Sequence, residues 1–217
     1  MNLDVAVISR QAETPSPATP ADLGEVIQTL TDAFAVDPHF DWFLRTGPKR
    51  DAARLGMFRY LIGGDAIKHG RIDRPAGGGA AAVWMPFDWV IRPDPPGADL
   101  QAAPVMLAAT GLRRITRLLA IRADMDKHHP TDRPHAYLWF LGVAPALQGH
   151  GLGSRLLAAA NARLDAEGLP AYLETGTTRN VALYRRHGYE VISEHKARKD
   201  APNMWSMWRE PGSMISI

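Results

Sequence analysis

The sequence predicts an α/β fold (α+β by some schemes), a single domain spanning 1–217 on a central mixed, twisted sheet of about six to seven strands flanked by helices. Three observations predict it. The run 137–143 (YLWFLGV) is almost continuously apolar, as a strand buried on both faces requires. The stretch 151–167 places Leu152, Leu156, Leu157, Ala160 and Leu164 on one helical side, and Gly168 stops it. A second apolar run, 171–174 (AYLE), follows, and a strand, helix and strand of this length imply a right-handed parallel crossover.

The other elements follow in chain order. Residues 4–9 read as a short strand, and 1–14 as a poorly ordered extension, because Pro15, Pro17 and Pro20 interrupt the chain behind them. Thr19-Pro20-Ala21-Asp22 is a helix start with proline just inside the cap. Leu23, Ile27, Leu30 and Phe34 continue it at helical spacing until Asp37-Pro38. A second helix covers 48–68, with Leu55, Phe58, Ile62 and Ile67 on its apolar side. The run 80–85 (AAAVWM) is a buried strand, and Gly77, Gly78 and Gly79 turn it against 71–73 as a hairpin. The proline-rich 86–104 reads as loop, and 105–122 as helix broken near Gly111. A short helix over 179–187 ends at Gly188, and strands at 189–192 and 204–208 close the chain.

Composition narrows the function classes. The 217 residues include 25 basic and 23 acidic side chains, a formal net charge of +2, which argues against a nucleic-acid partner. Arg113, Arg114, Arg117 and Arg122 then read as a solvated helix face. There is no cysteine, which excludes disulfides, thiolate zinc sites and a cysteine nucleophile. The N-terminus lacks a signal-peptide pattern and no apolar run is long enough to span a bilayer, so the expectation is a cytoplasmic protein with no membrane partner.

Between Val143 and the helix lies a turn with alternating glycines, Gln148-Gly149-His150-Gly151-Leu152-Gly153-Ser154. Backbone amides at such a turn, aimed from a helix N-terminus, bind a diphosphate. A P-loop is excluded, since no Lys-Ser or Lys-Thr follows the glycines. A dinucleotide fold gains from Glu174, an acid about twenty residues on. It loses because Ser154 replaces the third glycine and five residues separate Val143 from Gly149.

The third reading is coenzyme A. Gln148 to Gly153 resembles the Q/R-x-x-G-x-G/A signature of the GCN5-related N-acetyltransferases (GNAT). The resemblance runs from about 135 to 189, through the Tyr-Leu-Glu-Thr strand and Arg179-Asn180-Val181-Ala182-Leu183-Tyr184, with 135–195 as the cofactor-binding core. The chain looks most like the puromycin N-acetyltransferase branch, and only that likeness suggests antibiotic resistance.

The resemblance implies the GNAT fold, with its sheet splayed between the strands around 137–143 and 171–175, and acetyl-CoA as co-substrate. It implies that the amides of Gln148, Gly149, His150, Gly151, Leu152, Gly153 and Ser154 hold the pyrophosphate. The edge of Leu141, Gly142 and Val143 pairs with pantetheine as an added strand would, with Gly142 marking a bulge. Asn180 takes the pantetheine arm, or caps its helix. Tyr184, one helical turn on, is the acid that returns a proton to the leaving thiolate. The family has no universal base, so the role of Glu174 rests on its position at the C-terminal end of a parallel strand, where open sheets place ligand groups: it takes the amine's proton, directly or through water, anchors the ammonium group, or makes a structural hydrogen bond to Thr175 or the loop beyond.

Asp37, His39, Asp41, His128 and His129 are weaker candidates. His128-His129 is expected in an exposed loop where nothing completes a metal-ligand set, so no metal is expected. Phe34, Phe40, Trp42, Phe43, Trp84, Phe87 and Trp89 supply the core and, in part, an acceptor cleft. The reading is an N-acetyltransferase acting on a small, aromatic or apolar primary amine, as monomer or homodimer. Its alternatives are an acyl-CoA-binding regulatory module without turnover, a peptide or protein acetyltransferase, and, last, a dinucleotide oxidoreductase.

Overall fold

A computed structural model describes residues 5–92 and 98–213. The first third holds α1 (Val5–Gln11), β1 (Ser16–Pro17), α2 (Leu23–Ala33), α3 (Pro38–Phe43), α4 (Arg50–Leu61) and α5 (Ile67–His69). The middle holds β2 (Arg71–Arg74), β3 (Ala80–Pro86), α6 (Phe87–Val90), α7 (Ala98–Thr110) and α8 (Ile115–His128). The last third holds β4 (Ala136–Val143), α9 (Leu152–Ala166), β5 (Ala171–Thr175), α10 (Thr178–Arg185), β6 (Glu190–His195) and β7 (Met204–Arg209). Seven strands form one open mixed sheet in the order β1-β2-β3-β4-β5-β7-β6, with β4 and β5 its parallel pair.

Local chemistry starts the helices. The Asp22 carboxylate accepts from both the Thr19 amide and hydroxyl at 2.8 Å, just ahead of α2. Asp37 ends the preceding turn and caps α3, its Oδ1 accepting from the His39 and Phe40 amides at 2.9 and 3.0 Å. Between α4 and α5, Ile62–Ala66 widens into a π-helical turn that contains Gly63 and Gly64.

The sheet divides the interior into two cores. One face packs α2, α3, α4, α7 and α8 over Val83, Met85, Tyr137 and Tyr172, with Phe40 and Phe58 stacked at 5.4 Å. The other packs α1, α9 and α10 over Ala82, Trp84, Leu138, Leu173 and Met207. Alternate residues of β4 and β5 serve the two faces, so both strands read as unbroken apolar runs.

Three expectations change. Residues 5–11 are helical, because Val5, Ile8 and Ala12 recur at i, i+3 and i+7 and bury one side against α9's core. The expected loop 86–104 contains α6 and the start of α7; 93–97 lie outside the described residues. Pro104 sits inside α7, whose packing against α4 overrides the breaker. The bulge is not at Gly142, which pairs regularly with Ala81; the register slips where Val83 faces Phe140 and Trp84 faces Leu138, leaving Trp139 as the extra residue. Gly142 instead lets α2 approach, since a Cβ there would meet Leu30 Cδ2 at 2.8 Å.

Candidate active site

The site begins where the parallel pairing ends. β4 and β5 are in register only at Ala136–Ala171, Tyr137–Tyr172 and Leu138–Leu173. Beyond them β4 runs on through Val143 and β5 through Thr175 without pairing to each other, and the sheet opens. On its far side β4 stays paired to β3, Leu141 to Ala82, Gly142 to Ala81 and Val143 to Ala80. The β4 edge toward β5 is therefore the free one over these residues.

The glycine turn sits at the end of this free edge. Gly149 and Gly151 have φ of +83° and +78°, a left-handed region that L side chains rarely adopt. Gln148 folds back, its Nε2 donating to the Val143 carbonyl at 3.1 Å, and the His150 ring turns to the Leu147 and Gln148 carbonyls. Gly151 is the residue before α9, and the Arg155 amide makes the helix's first bond, to the Gly151 carbonyl at 3.0 Å. The amides of Leu152, Gly153 and Ser154 are thus the free donors of the helix start. The Ser154 hydroxyl is engaged with His187 Nε2 at 2.6 Å, which ties α9 to the end of α10. Burial lowers the His187 pKa, so the imidazole is held neutral in this contact.

α10 faces the opening. Its cap is Thr177, whose hydroxyl accepts from the Asn180 amide at 3.2 Å, so Asn180 is three residues inside and is not the cap. Tyr184 lies one turn further, packed edge-on to Tyr189 at 5.8 Å. Burial pushes the Tyr184 phenol well above its ordinary value, so it stays protonated at neutral pH and can only give a proton.

Glu174 lies one residue past the last β4–β5 pair, on the face opposite α9 and α10. Its side chain is 3% exposed, and Oε1 is 3.7 Å from His129 Nδ1. That oxygen has no hydrogen-bond partner among the described residues, so the structural bond to Thr175 or the loop is not formed by it. The Tyr137 and Tyr172 phenols face the carboxylate; burial first, then the charge of Glu174, pushes both upward. A buried carboxylate oxygen without a donor is costly, and a ligand ammonium group is the kind of partner that offsets it.

The surrounding candidates separate. His129 is not in an exposed loop: its ring packs against Tyr137 and Tyr172 at 4.9 and 4.5 Å, and its Nε2 meets His135 Nε2 at 2.9 Å. His128 ends α8 and stacks on His195 at 3.8 Å and 12°. The fold thus brings Asp124 and His195 to His128, with possible ligand atoms within 4.8 Å of one another. Parallel rings at that spacing share no point lying in both ring planes, so binding one ion through both would need a ring to turn. His39 rests on the backbone of Gly176 just past β5, where a Cβ would meet its Nδ1. Burial lowers its pKa against the opposing charge of Asp37. Asp41 pairs with Arg50 away from the opening.

Arg114 and Arg117 are not simply solvated. Arg114 Nη1 donates to the Asp41 and Leu44 carbonyls at 2.9 and 2.8 Å, and Arg117 Nη1 to that of Trp42 at 3.0 Å, together closing the C-terminal end of α3. Among the aromatics, Phe40 and Phe43 are core. Trp84 belongs to the opposite face of the sheet, and Phe87 lies on His135 where β4 begins. Trp139 and Phe140 were not singled out by the sequence, yet they stand at the opening, tilted against each other at 4.9 Å, with Trp89 on Trp139 and Phe34 on Phe140. A signal was present: both lie in the apolar strand that runs into the glycine turn. A separate cavity of about 420 Å³, lined by Trp84, Phe87, His135 and Arg163, lies at the start of the parallel strands, away from the glycine turn.

The candidate site is thus a split parallel pair with a glycine turn on one face and a buried acid on the other. Residues 108–189 match the family model described as "Acetyltransferase (GNAT) family". The chain is similar to a solved Corynebacterium glutamicum structure described as "histone acetyltransferase HPA2 and related acetyltransferase", with 26% identity, a TM-score of 0.68, and coverage of 94% of this chain and 98% of that one. It shares the fold of the Drosophila melanogaster polyamine N-acetyltransferase (15% identity, TM-score 0.60, covering 90% and 98%). It also shares that of arylalkylamine N-acetyltransferase 2 from Aedes aegypti (10% identity, TM-score 0.54, covering 91% and 98%). The stretch 108–189 is thus similar to an acetyltransferase family, and the whole chain shares the fold of solved acetyltransferases.

Proposed function

We propose that this protein is an acyltransferase that uses acetyl-CoA to acetylate the primary amine of a small acceptor with an aromatic or apolar group beside the amine. The observation that carries the proposal is the end of β4–β5 pairing at Leu138–Leu173, which frees one edge of Leu141, Gly142 and Val143 between the glycine turn and Glu174. In this reading the amides from Gly149 to Ser154 hold the pyrophosphate; that of Gln148, expected among them, already donates to the Pro145 carbonyl at 3.3 Å. The free β4 edge pairs with the pantetheine amides, and Asn180 holds the arm. The acceptor enters from the opposite face, past Trp139 and Phe140, with its ammonium group on Glu174.

The chemistry is direct transfer in a ternary complex. The ammonium group loses one proton to Glu174, the freed amine nitrogen bonds the thioester carbonyl carbon, the carbon–sulfur bond breaks as Tyr184 gives its proton to the departing sulfur, and the second proton of the nitrogen restores the Tyr184 phenol. The chain has no cysteine to carry an acyl intermediate. Shared fold makes polyamines and arylalkylamines the first acceptors to try, and the resemblance of the sequence to the puromycin branch adds aminonucleosides. The test is release of free thiol from acetyl-CoA across that panel, with amino acids and peptides included. Turnover of small aromatic amines above all others is expected. Coenzyme A binding without thiol release from any amine would favour a regulatory module, and preference for peptides would reassign the acceptor.

A further inference from the structure

A chain of side chains unused in the reaction above runs from beneath Glu174 to the α8 surface. The Tyr172 hydroxyl donates to Ser206 Oγ at 3.0 Å. Ser206 Oγ lies 3.0 Å from His195 Nε2, and His195 Nδ1 lies 2.6 Å from Asp124 Oδ2. One arrangement of protons satisfies every link. Asp124 accepts from His195 Nδ1–H, which leaves Nε2 to accept from the Ser206 hydroxyl, whose second lone pair accepts from Tyr172. All the donors then point the same way, out of the cleft.

Aspartate, histidine and serine in this order suggest a nucleophile, but Ser206 has no exposed surface and the apolar sheet seals it from any acyl donor. What such a site can pass is a proton. Tyr172 is likewise fully buried, and its neighbour toward the cleft is the Glu174 carboxylate. His195 and Asp124 have side chains 6% and 12% exposed, so the outer end of the chain approaches solvent.

We propose that Tyr172, Ser206, His195 and Asp124 form a proton relay that carries the acceptor's ammonium proton from Glu174 to His195. The proposal rests on the acetyl-transfer reading and extends it. The proton bound by Glu174 moves to the Tyr172 oxygen as the Tyr172 proton passes to Ser206 and the Ser206 proton to His195 Nε2. The balance is R–NH3+ and neutral His195 giving R–NH2 and imidazolium, which the Asp124 carboxylate stabilises. These four are positioning and relay residues; only Glu174 touches the substrate. The groups around His195 are Asp124 and His128 from α8, Ser206 from β7, and His39 from α3 with Asp37 capping that helix; Tyr172 of β5 reaches it only through Ser206, with Glu174 beside Tyr172.

The experiment measures kcat/KM of the full chain against pH for two acceptors: a primary alkylamine, protonated at neutral pH, and an arylamine, already neutral there. Ser206→Ala interrupts the chain and leaves Glu174, its cross-strand partner, as the carboxylate of the site. It is expected to lose about tenfold or more with the alkylamine at pH 7, with the loss shrinking as pH rises toward the amine's own pKa. With the arylamine the loss is absent, and the acetyl-CoA KM is unchanged. Tyr172→Phe, which retains the ring, is expected to show the same signature and serves if Ser206→Ala fails to fold. Equal losses for both amines at every pH, or no loss, would overturn the relay while leaving acetyl transfer intact. Absence of thiol release by the wild-type chain with every amine would overturn both.

Discussion

Trp42 and Asp200, 158 residues apart, are joined by a hydrogen bond of 3.1 Å from the indole Nε1 to Oδ2. Arg117 reinforces the pair, lying 5.1 Å from the Trp42 ring centroid and 3.2 Å from the same carboxylate oxygen. The bond ties α3 to the segment between β6 and β7, and His39 of α3 lies against Gly176 beyond β5. Trp42 is therefore a clasp beside the opening rather than part of its wall.

Trp42→Phe keeps most of the buried surface and removes the donor. It is expected to cost about 1 kcal/mol and to raise the acceptor KM while leaving that of acetyl-CoA unchanged. Trp42→Ala is expected to cost about 3–5 kcal/mol, because 9% exposure makes it a core residue. Denaturant melts of both variants check the stability values, and a rise in both KM values together would remove the clasp from acceptor binding.

Tyr184→Phe removes a hydroxyl that burial keeps protonated. If it serves the departing thiolate, kcat falls about a hundredfold while acetyl-CoA affinity, measured by calorimetry, is unaltered. The loss is expected to be constant between pH 6 and pH 9, on the order of the assay range, because a phenol pushed upward does not titrate there. Full turnover by the variant would exclude the acid role.

Glu174→Gln keeps the shape and removes the charge. A fall of about tenfold or more in kcat/KM for the amine is expected. The melting temperature is expected to hold or rise, because an unpartnered buried carboxylate oxygen is no longer desolvated. A lower melting temperature with unchanged kcat/KM would make Glu174 structural.

Gly142→Ala and Gly149→Ala separate packing from ligand approach. A Cβ at Gly142 would meet Leu30 Cδ2 at 2.8 Å and Ala33 Cβ at 3.0 Å, so about 1–3 kcal/mol of stability is lost. A Cβ at Gly149 meets nothing within 4 Å, and only its φ of +83° is strained, at about 1 kcal/mol. Coenzyme A affinity is expected to fall more for Gly149→Ala than its stability loss explains. Equal affinity in both variants would remove the turn from the cofactor site.

Arg209 grips Asp165 with two bonds of 2.6 and 2.8 Å, fastening β7 to α9. The Arg209 guanidinium, and then the Gly212 amide, hold the Asp165 carboxyl below its ordinary range against the opposing effect of burial. A depressed carboxyl contributes stability above its unfolded pKa of about 3.9 and loses it as pH falls through the folded value. Arg209→Met is expected to cost about 2 kcal/mol at pH 7, and its gap from wild type is expected to narrow below about pH 4. Urea unfolding at pH 7 and pH 3 tests this; a constant gap would assign the cost to packing alone.

The proposed donor half of the site is legible in the sequence because it is local. Gln148 to Ser154, and Asn180 with Tyr184, lie within single turns or one helix, where spacing dictates geometry. The acceptor half is not. Glu174, His129, Tyr137, Tyr172, Ser206 and His195 come from separate stretches of chain, and no periodicity records that they meet. Likewise Trp139 looked like one more apolar strand residue until the slip against Val83 and Trp84 set it at the opening.

By itself the sequence determined the parallel β4–α9–β5 crossover, the glycine turn and the absence of a cysteine nucleophile. Hydrophobic period, glycine placement and composition are properties of neighbouring residues. Only the tertiary structure decided where β4 and β5 part, that α3 is clasped to the β6–β7 segment, and that a histidine, a serine and a tyrosine line up behind Glu174. Those depend on which strand lies beside which. The order β5-β7-β6 brings residues more than thirty positions apart within hydrogen-bond reach.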